Sequence, residues 1–143
     1  MNSSKIDIFT PTREHAMLRA SVRKFAEEQI EPGAIERDDK EYFDKNLFKK
    51  LGDLGLLGIT APEEFGGSGM DATAAVIVNE ELSAVDPGLC LAYLAHSMLA
   101  VNNIVQNAND EQKKRYLPKL SSGEWIGAMA MSEPEVGTDV LGM

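Results

Sequence analysis

The sequence predicts an all-α domain followed by the first strand of a β-domain. Two observations carry the prediction. Between Thr12 and Pro118, apolar residues recur at helical spacing, punctuated by capping residues, prolines and glycines. From Trp125 that spacing is lost, and Trp125-Ile126-Gly127-Ala128-Met129-Ala130-Met131 is an apolar run of strand length. Residues 1–124 are therefore read as the helical unit, and 125–143 as the strand and the loop after it.

The first helix is placed on Thr12 to Ile30, where Leu18, Val22, Phe25, Ala26 and Ile30 share one stripe with Arg and Glu between them. Thr10-Pro11-Thr12 supplies cap chemistry and a proline suited to a first turn. Glu31-Pro32-Gly33 is expected to stop the helix, because proline disfavours helical geometry in the residue before it. A second helix starts after Asp44 and carries Leu47, Phe48, Leu51 and Leu54, with Gly55 at its end. Gly58 to Gly69 reads as a loop, glycine-rich at its end. Asp71 is a good N-cap for a helix over Ala72–Ser83. Asp86-Pro87 opens the most apolar stretch, Gly88 to about Val105, a helix apolar on nearly all sides and so expected to be buried. Asn109-Asp110 caps a short charged helix, Glu111 to Leu117, which Pro118 is expected to end. A lone strand cannot satisfy its edges, so 125–131 is read as the beginning of a domain whose remainder lies beyond Met143.

Composition narrows the function classes. The chain has 143 residues, 43% of them apolar and 26% charged, within ordinary globular usage. A chain of this size buries roughly two-thirds of its unfolded surface and needs no staples. The 14 basic and 23 acidic residues give a net charge of −9, the wrong sign for a nucleic-acid grip, which relies on clustered Lys and Arg. With one cysteine, Cys90, there is no internal disulfide and no Cys-cluster zinc site. No apolar run is read as reaching the ~18 residues that cross a bilayer. The N-terminus shows neither an apolar signal region nor an Arg-rich transit pattern. A soluble, reducing compartment is expected, with no membrane partner.

Three stretches follow one another in order: Pro62-Glu63-Glu64-Phe65-Gly66-Gly67, then Asn109-Asp110-Glu111-Gln112-Lys113-Lys114-Arg115-Tyr116-Leu117-Pro118, then Met131-Ser132-Glu133-Pro134 with Gly137-Thr138-Asp139. With all-helical sequence between them, they resemble the acyl-CoA dehydrogenase family, flavoenzymes that oxidise acyl-CoA thioesters to 2,3-enoyl-CoA. Ala95-His96-Ser97 and Gly127-Ala128-Met129-Ala130-Met131-Ser132 look most like its isovaleryl-CoA dehydrogenase branch. The resemblance implies a helical N-terminal domain, a central β-domain and a C-terminal four-helix bundle, in chains more than twice this long. The family's catalytic glutamate lies in the C-terminal helices, so no residue here matches it, and the 143 residues alone are expected to be inactive.

The resemblance also implies the site residues. FAD needs amides and hydroxyls along its ring edge, where reduction places negative charge; Met129, Ala130, Met131 and Ser132 correspond to that edge. Gly137 and Thr138 correspond to positions that approach the pyrophosphate and the thioester arm of the substrate. Leu91 and Ala95, four apart on one helix face, correspond to positions closing the far end of the acyl pocket, where they would suit a short or branched chain. Two departures stand out. Glu135 and Val136 occupy positions where the family has small residues, and a carboxylate beside a pyrophosphate is unfavourable unless it points to solvent. Thr138 replaces the commoner serine and keeps the hydroxyl. Implied partners are the acyl-CoA substrate, electron-transfer flavoprotein as electron acceptor, and further copies of the chain in a homotetramer or dimer. The location implied is bacterial cytoplasm, or the mitochondrial matrix after processing.

Simpler readings stand beside these. Without the family, 125–139 is a strand and a Pro/Gly turn, and Leu91 and Ala95 are ordinary core. The Pro62–Gly69 loop fits neither a P-loop nor a dinucleotide fingerprint and reads as a structural turn. His15 and His96 lack partners at motif spacing and read as packing or surface residues. Cys90 reads as an inert buried thiol, residues 111–115 as a solvated helix face, and Trp125 as an anchor for the strand. An acyl-CoA oxidase and a free-standing helical interaction module are the competing functions.

Overall fold

The computed structural model describes residues 8–142. Among them are seven α-helices: α1 (Arg13–Phe25), α2 (Ala34–Asp39), α3 (Lys45–Asp53), α4 (Ala72–Ser83), α5 (Pro87–Leu94), α6 (Asn102–Asn107) and α7 (Asp110–Ser121). Two π-helical turns, Ala26–Ile30 and Ala95–Val101, are continuous with the helices before them.

Most starts are where the sequence puts them, because the caps are used. The Thr12 side chain accepts from His15 N–H, Asp44 from the amides of Asn46 and Leu47, and Asp71 from Ala74 N–H. Asn109 and Gln112 form a reciprocal capping box on α7. Three expectations are corrected. Pro32 does not end helical structure: it sits early in a 3₁₀ turn over Glu31–Gly33, where no inner N–H is required, and the chain runs on into the unanticipated α2. Pro118 lies inside α7, which continues to Ser121 and buries Leu117, Leu120 and Ser121. That docking offsets the lost backbone hydrogen bond. No β-strand occurs among the described residues; 125–131 has no regular structure, and no second extended segment lies beside it to form a ladder.

The main core joins Val22, Ala26 and Ile30 to Leu47, Phe48 and Leu51 of α3, Leu56, Leu57 and Ile59 after it, Val78 and Leu82 of α4, and Leu89 and Tyr93 of α5. A second cluster gathers Ala61, Phe65, Val101, Leu117 and Leu120. Two ion-paired carboxylates, Asp86 and Glu81, fix the frame. Asp86 caps α5 at Leu89 N–H, 2.8 Å, and accepts from Arg37 Nη2 at 2.8 Å, tying α2 to the start of α5.

Glu81 is buried between α4 and α1 and accepts from Arg19 Nη1 at 2.5 Å and Arg23 Nε at 2.7 Å. Burial disfavours its ionised form, but the hydrogen bonds from Arg23 and Arg19 outweigh that and hold its pKa below the ordinary 4.5. Glu81→Gln is expected to cost on the order of 1–3 kcal/mol in urea unfolding. A depressed folded pKa contributes stability that is complete above the unfolded value and lost as pH falls through the folded one. The variant should therefore lose less stability than the parent as pH falls below about 4.5. Parallel losses would show that the clamp is not what titrates.

Candidate functional site

Asp86 and Pro87 start a helical stretch that runs unbroken from Pro87 to Asn107, through the π turn. Among the described residues it is the one helix long and apolar enough, by length and composition, to cross a membrane. The expectation of no run that long is corrected by the joining of α5, the π turn and α6. It packs as a core helix, with Leu89, Cys90, Tyr93, His96, Ser97 and Val101 buried against the domain. The expectation of burial on all sides is corrected too. Leu91 is 68% exposed, Leu99 40% exposed, and Ala95 half-buried. Leu91 is thus not a core residue of this domain, and with Ala95 one turn on it opens an apolar strip to the outside. Cys90 is buried; burial and the Asp86 carboxylate push its thiol pKa up, which leaves it a poor nucleophile.

After α7 the chain folds back. Trp125 N–H donates to Lys119 O at 3.0 Å, and the indole lies 4.6 Å from Lys119 Nζ and 6.2 Å from the Tyr116 ring. Gly127 N–H donates to His96 Nδ1 at 2.9 Å. From there Met129 is half-buried, while Ala130, Met131 and Ser132 are exposed. Glu133 and Val136 exchange backbone hydrogen bonds of 2.8 and 3.2 Å, closing a turn with Glu135 exposed at its tip. Gly137 and Thr138 follow, both exposed, and a Cβ on Gly137 would meet nothing within 4 Å. Among the described residues the hydroxyls of Ser132 and Thr138 and the amides of Met129 to Ser132 have no hydrogen-bond partner. The segment is a row of uncommitted donors beside open space. No hydrogen bond among the described residues joins it to Leu91 or Ala95, and no group of His, Cys, Asp and Glu there could hold a metal ion.

Two histidines have roles that spacing did not reveal. His15, buried in α1, lies with Nε2 2.9 Å from Asp71 Oδ1 and Nδ1 2.9 Å from Thr12 Oγ1, joining two helix caps. His96 is fully buried, stacked edge-on against Phe48 at 5.1 Å and 82°, with Nε2 3.1 Å from Leu120 O. Its partners lie 24 and 31 residues away, beyond the reach of any local pattern.

This architecture has known counterparts. Residues 12–124 match the family model described as "Acyl-CoA dehydrogenase, N-terminal domain". The chain belongs to the acyl-CoA dehydrogenase family. It is 52% identical over 133 residues to the mitochondrial isovaleryl-CoA dehydrogenase of Bos taurus, covering 91% of this chain and 31% of that protein. It is 45% identical over 127 residues to the mitochondrial 2-methylacyl-CoA dehydrogenase of Solanum tuberosum, covering 87% and 31%. Among solved structures, an acyl-CoA dehydrogenase of Bacillus anthracis complexed with FAD matches at TM-score 0.85 and 36% identity, over 92% of this chain and 23% of that one. A chain from a structure titled for the electron transferring flavoprotein of Acidaminococcus fermentans matches at TM-score 0.86 and 36% identity, over 90% and 34%. The chain spans about a third of the length of the curated relatives it matches. Relatives include mitochondrial and bacterial enzymes, both consistent with the expected locations.

Proposed function

We propose that this chain is the N-terminal domain, 1–124, and the first segment of the β-domain, 125–143, of an FAD-dependent acyl-CoA dehydrogenase acting on a short or branched acyl chain. The observation that carries the reading is the match of 12–124 to the family's N-terminal domain, with 52% identity to an isovaleryl-CoA dehydrogenase. The free amides of Met129 to Ser132 and the Ser132 hydroxyl suit the ring edge of a flavin, and the open space at Gly137 beside the Thr138 hydroxyl suits a pyrophosphate. Glu135, exposed at the turn tip, can keep its carboxylate in solvent and so need not repel a phosphate. FAD supplies a two-electron acceptor when bound. This chain's part is to hold it and to wall the acyl group; the proton-abstracting base belongs to no residue here. Electron-transfer flavoprotein as the onward acceptor, a homo-oligomeric assembly and a bacterial cytoplasmic location complete the reading.

Leu91 and Ala95 give the test. If they close the acyl pocket of the whole protein, Ala95→Leu should cut kcat/KM on branched C5 and on C8 thioesters before C4. An overpacked site costs roughly 1–3 kcal/mol, about ten- to a hundredfold. Leu91→Ala should do the reverse, gaining on C8 while losing on C4 through lost contact. The flavin absorption spectrum should stay as it is in both. An equal fall for all three substrates would remove both residues from the pocket.

A further inference from the structure

His96 sits where the π turn brings two successive residues, His96 and Ser97, into the interior. Such turns recur at functional sites because they re-aim side chains. A backbone N–H only donates and a carbonyl only accepts. Gly127 N–H at 2.9 Å therefore requires a lone pair on Nδ1, and Leu120 O at 3.1 Å requires the hydrogen on Nε2. The ring is neutral in this arrangement, and a second proton on Nδ1 would confront the Gly127 N–H. Burial, which lowers the ring's pKa, acts in the same direction.

The seat opposite the ring is equally closed. A Cβ on Gly127 would lie 2.8 Å from Ala100 Cβ and 3.3 Å from Leu120 Cδ2, so only glycine lies flat between the π turn and α7. Gly127 is two residues before Met129. From there on, none of the amides through Ser132 is bound to another described residue. Among the described residues, the bond at Gly127 is the last hydrogen bond that fixes the chain before the donor row.

We propose that His96 is a positioning residue for flavin binding: as the neutral Nε2–H tautomer bridging Leu120 and Gly127, it sets where the donor row at Met129 to Ser132 leaves the helical domain. The proposal rests on the reading of that row as flavin-contacting. An asparagine side chain puts an oxygen acceptor where Nδ1 stands, and a glutamine puts a nitrogen donor where Nε2 stands. The two replacements thus separate the Gly127 bond from the Leu120 bond.

The experiment is FAD titration of the whole apoprotein, read by flavin fluorescence, together with hydrogen exchange at Gly127. In the parent, Gly127 N–H should exchange slowly even without FAD. His96→Asn should bind FAD within a few-fold of the parent. His96→Gln and Gly127→Ala should weaken it about tenfold or more, roughly one hydrogen bond's net contribution, with faster exchange at Gly127. A purely structural histidine would lower thermal stability in both replacements without separating them in FAD affinity. Equal affinity in the Asn and Gln variants, or fast Gly127 exchange in the parent, overturns the proposal. If neither His96 variant folds, Gly127→Ala decides, since it leaves the ring intact, and unchanged FAD affinity there is fatal. Ser132→Ala and Thr138→Ala test the underlying reading separately. If they weaken FAD while the His96 set does not, positioning by His96 is wrong and the flavin assignment stands; if none of the variants matters, the assignment itself falls.

Discussion

Phe48→Ala is expected to cost about 3–5 kcal/mol, a large share of the roughly 5–15 kcal/mol available to a domain. The ring is fully buried, and three elements meet on it. Its own helix contributes Leu47 and Leu51, the chain before α3 brings Phe43 at 5.4 Å, and the π turn presents the edge of His96 at 5.1 Å. Truncation removes the transfer free energy of the ring and leaves a void in a close-packed interior, where little of it can collapse. Phe48→Leu keeps most of the volume and should cost about 1 kcal/mol. The measurement is urea unfolding followed by helical circular dichroism. A loss under 1 kcal/mol for the alanine variant would mean that the region is already loosely packed and that the His96 ring is not held from below.

How much of this was legible in the sequence depends on the range over which each feature acts. Asp44, Asp71, Asp86 and Asn109 each satisfy amides two or three residues on. A reader of the sequence can therefore place α3, α4, α5 and α7 to within a residue at their starts. The failures concern competition with tertiary packing. Pro118 breaks a helix by local rules, yet Leu117 and Leu120 are buried on either side of it and hold the last turn in place. The apolar surplus on Pro87–Asn107 shows how much hydrophobic surface exists, not which of it this domain covers. Leu91 at 68% exposure could be found only by packing the other helices. The segment after Trp125 reads as strand because its composition suits one, but a strand is a property of two segments, and no second extended segment lies beside it among the described residues. The candidate site divides the same way. Resemblance proposed Met129 to Thr138, while His96 was missed because its two partners are backbone groups of residues far along the chain. A glycine at 127 beside a histidine at 96 is no recognisable signal without the fold.

Gly67→Ala carries the other large expected effect. The Pro62–Gly69 loop returns on itself so closely that a Cβ on Gly67 would collide with Ala61 O and stand 2.6 Å from Ala61 Cβ. The nearest atom is backbone and cannot swing away. The return is also fastened, by Gly67 N–H to Pro62 O at 3.1 Å, Ser68 N–H to Gly58 O at 2.9 Å and Gly69 N–H to Ala61 O at 2.9 Å. Relieving the clash means opening several of these bonds in a segment whose Ala61 and Phe65 pack on Val101, Leu117 and Leu120. The cost should be on the order of 3 kcal/mol, the upper end for overpacking. Because this cluster lies under α7, the damage should spread to the turn that leads into Trp125, and hydrogen exchange should quicken at Ser122 and Gly123 as well as in the loop. Gly137→Ala is the matched control: its Cβ meets nothing within 4 Å, so its unfolding midpoint should stay close to the parent's. Equal midpoints for the two variants would mean that the loop does not hold the tight return, and that its glycines are free to serve something other than structure.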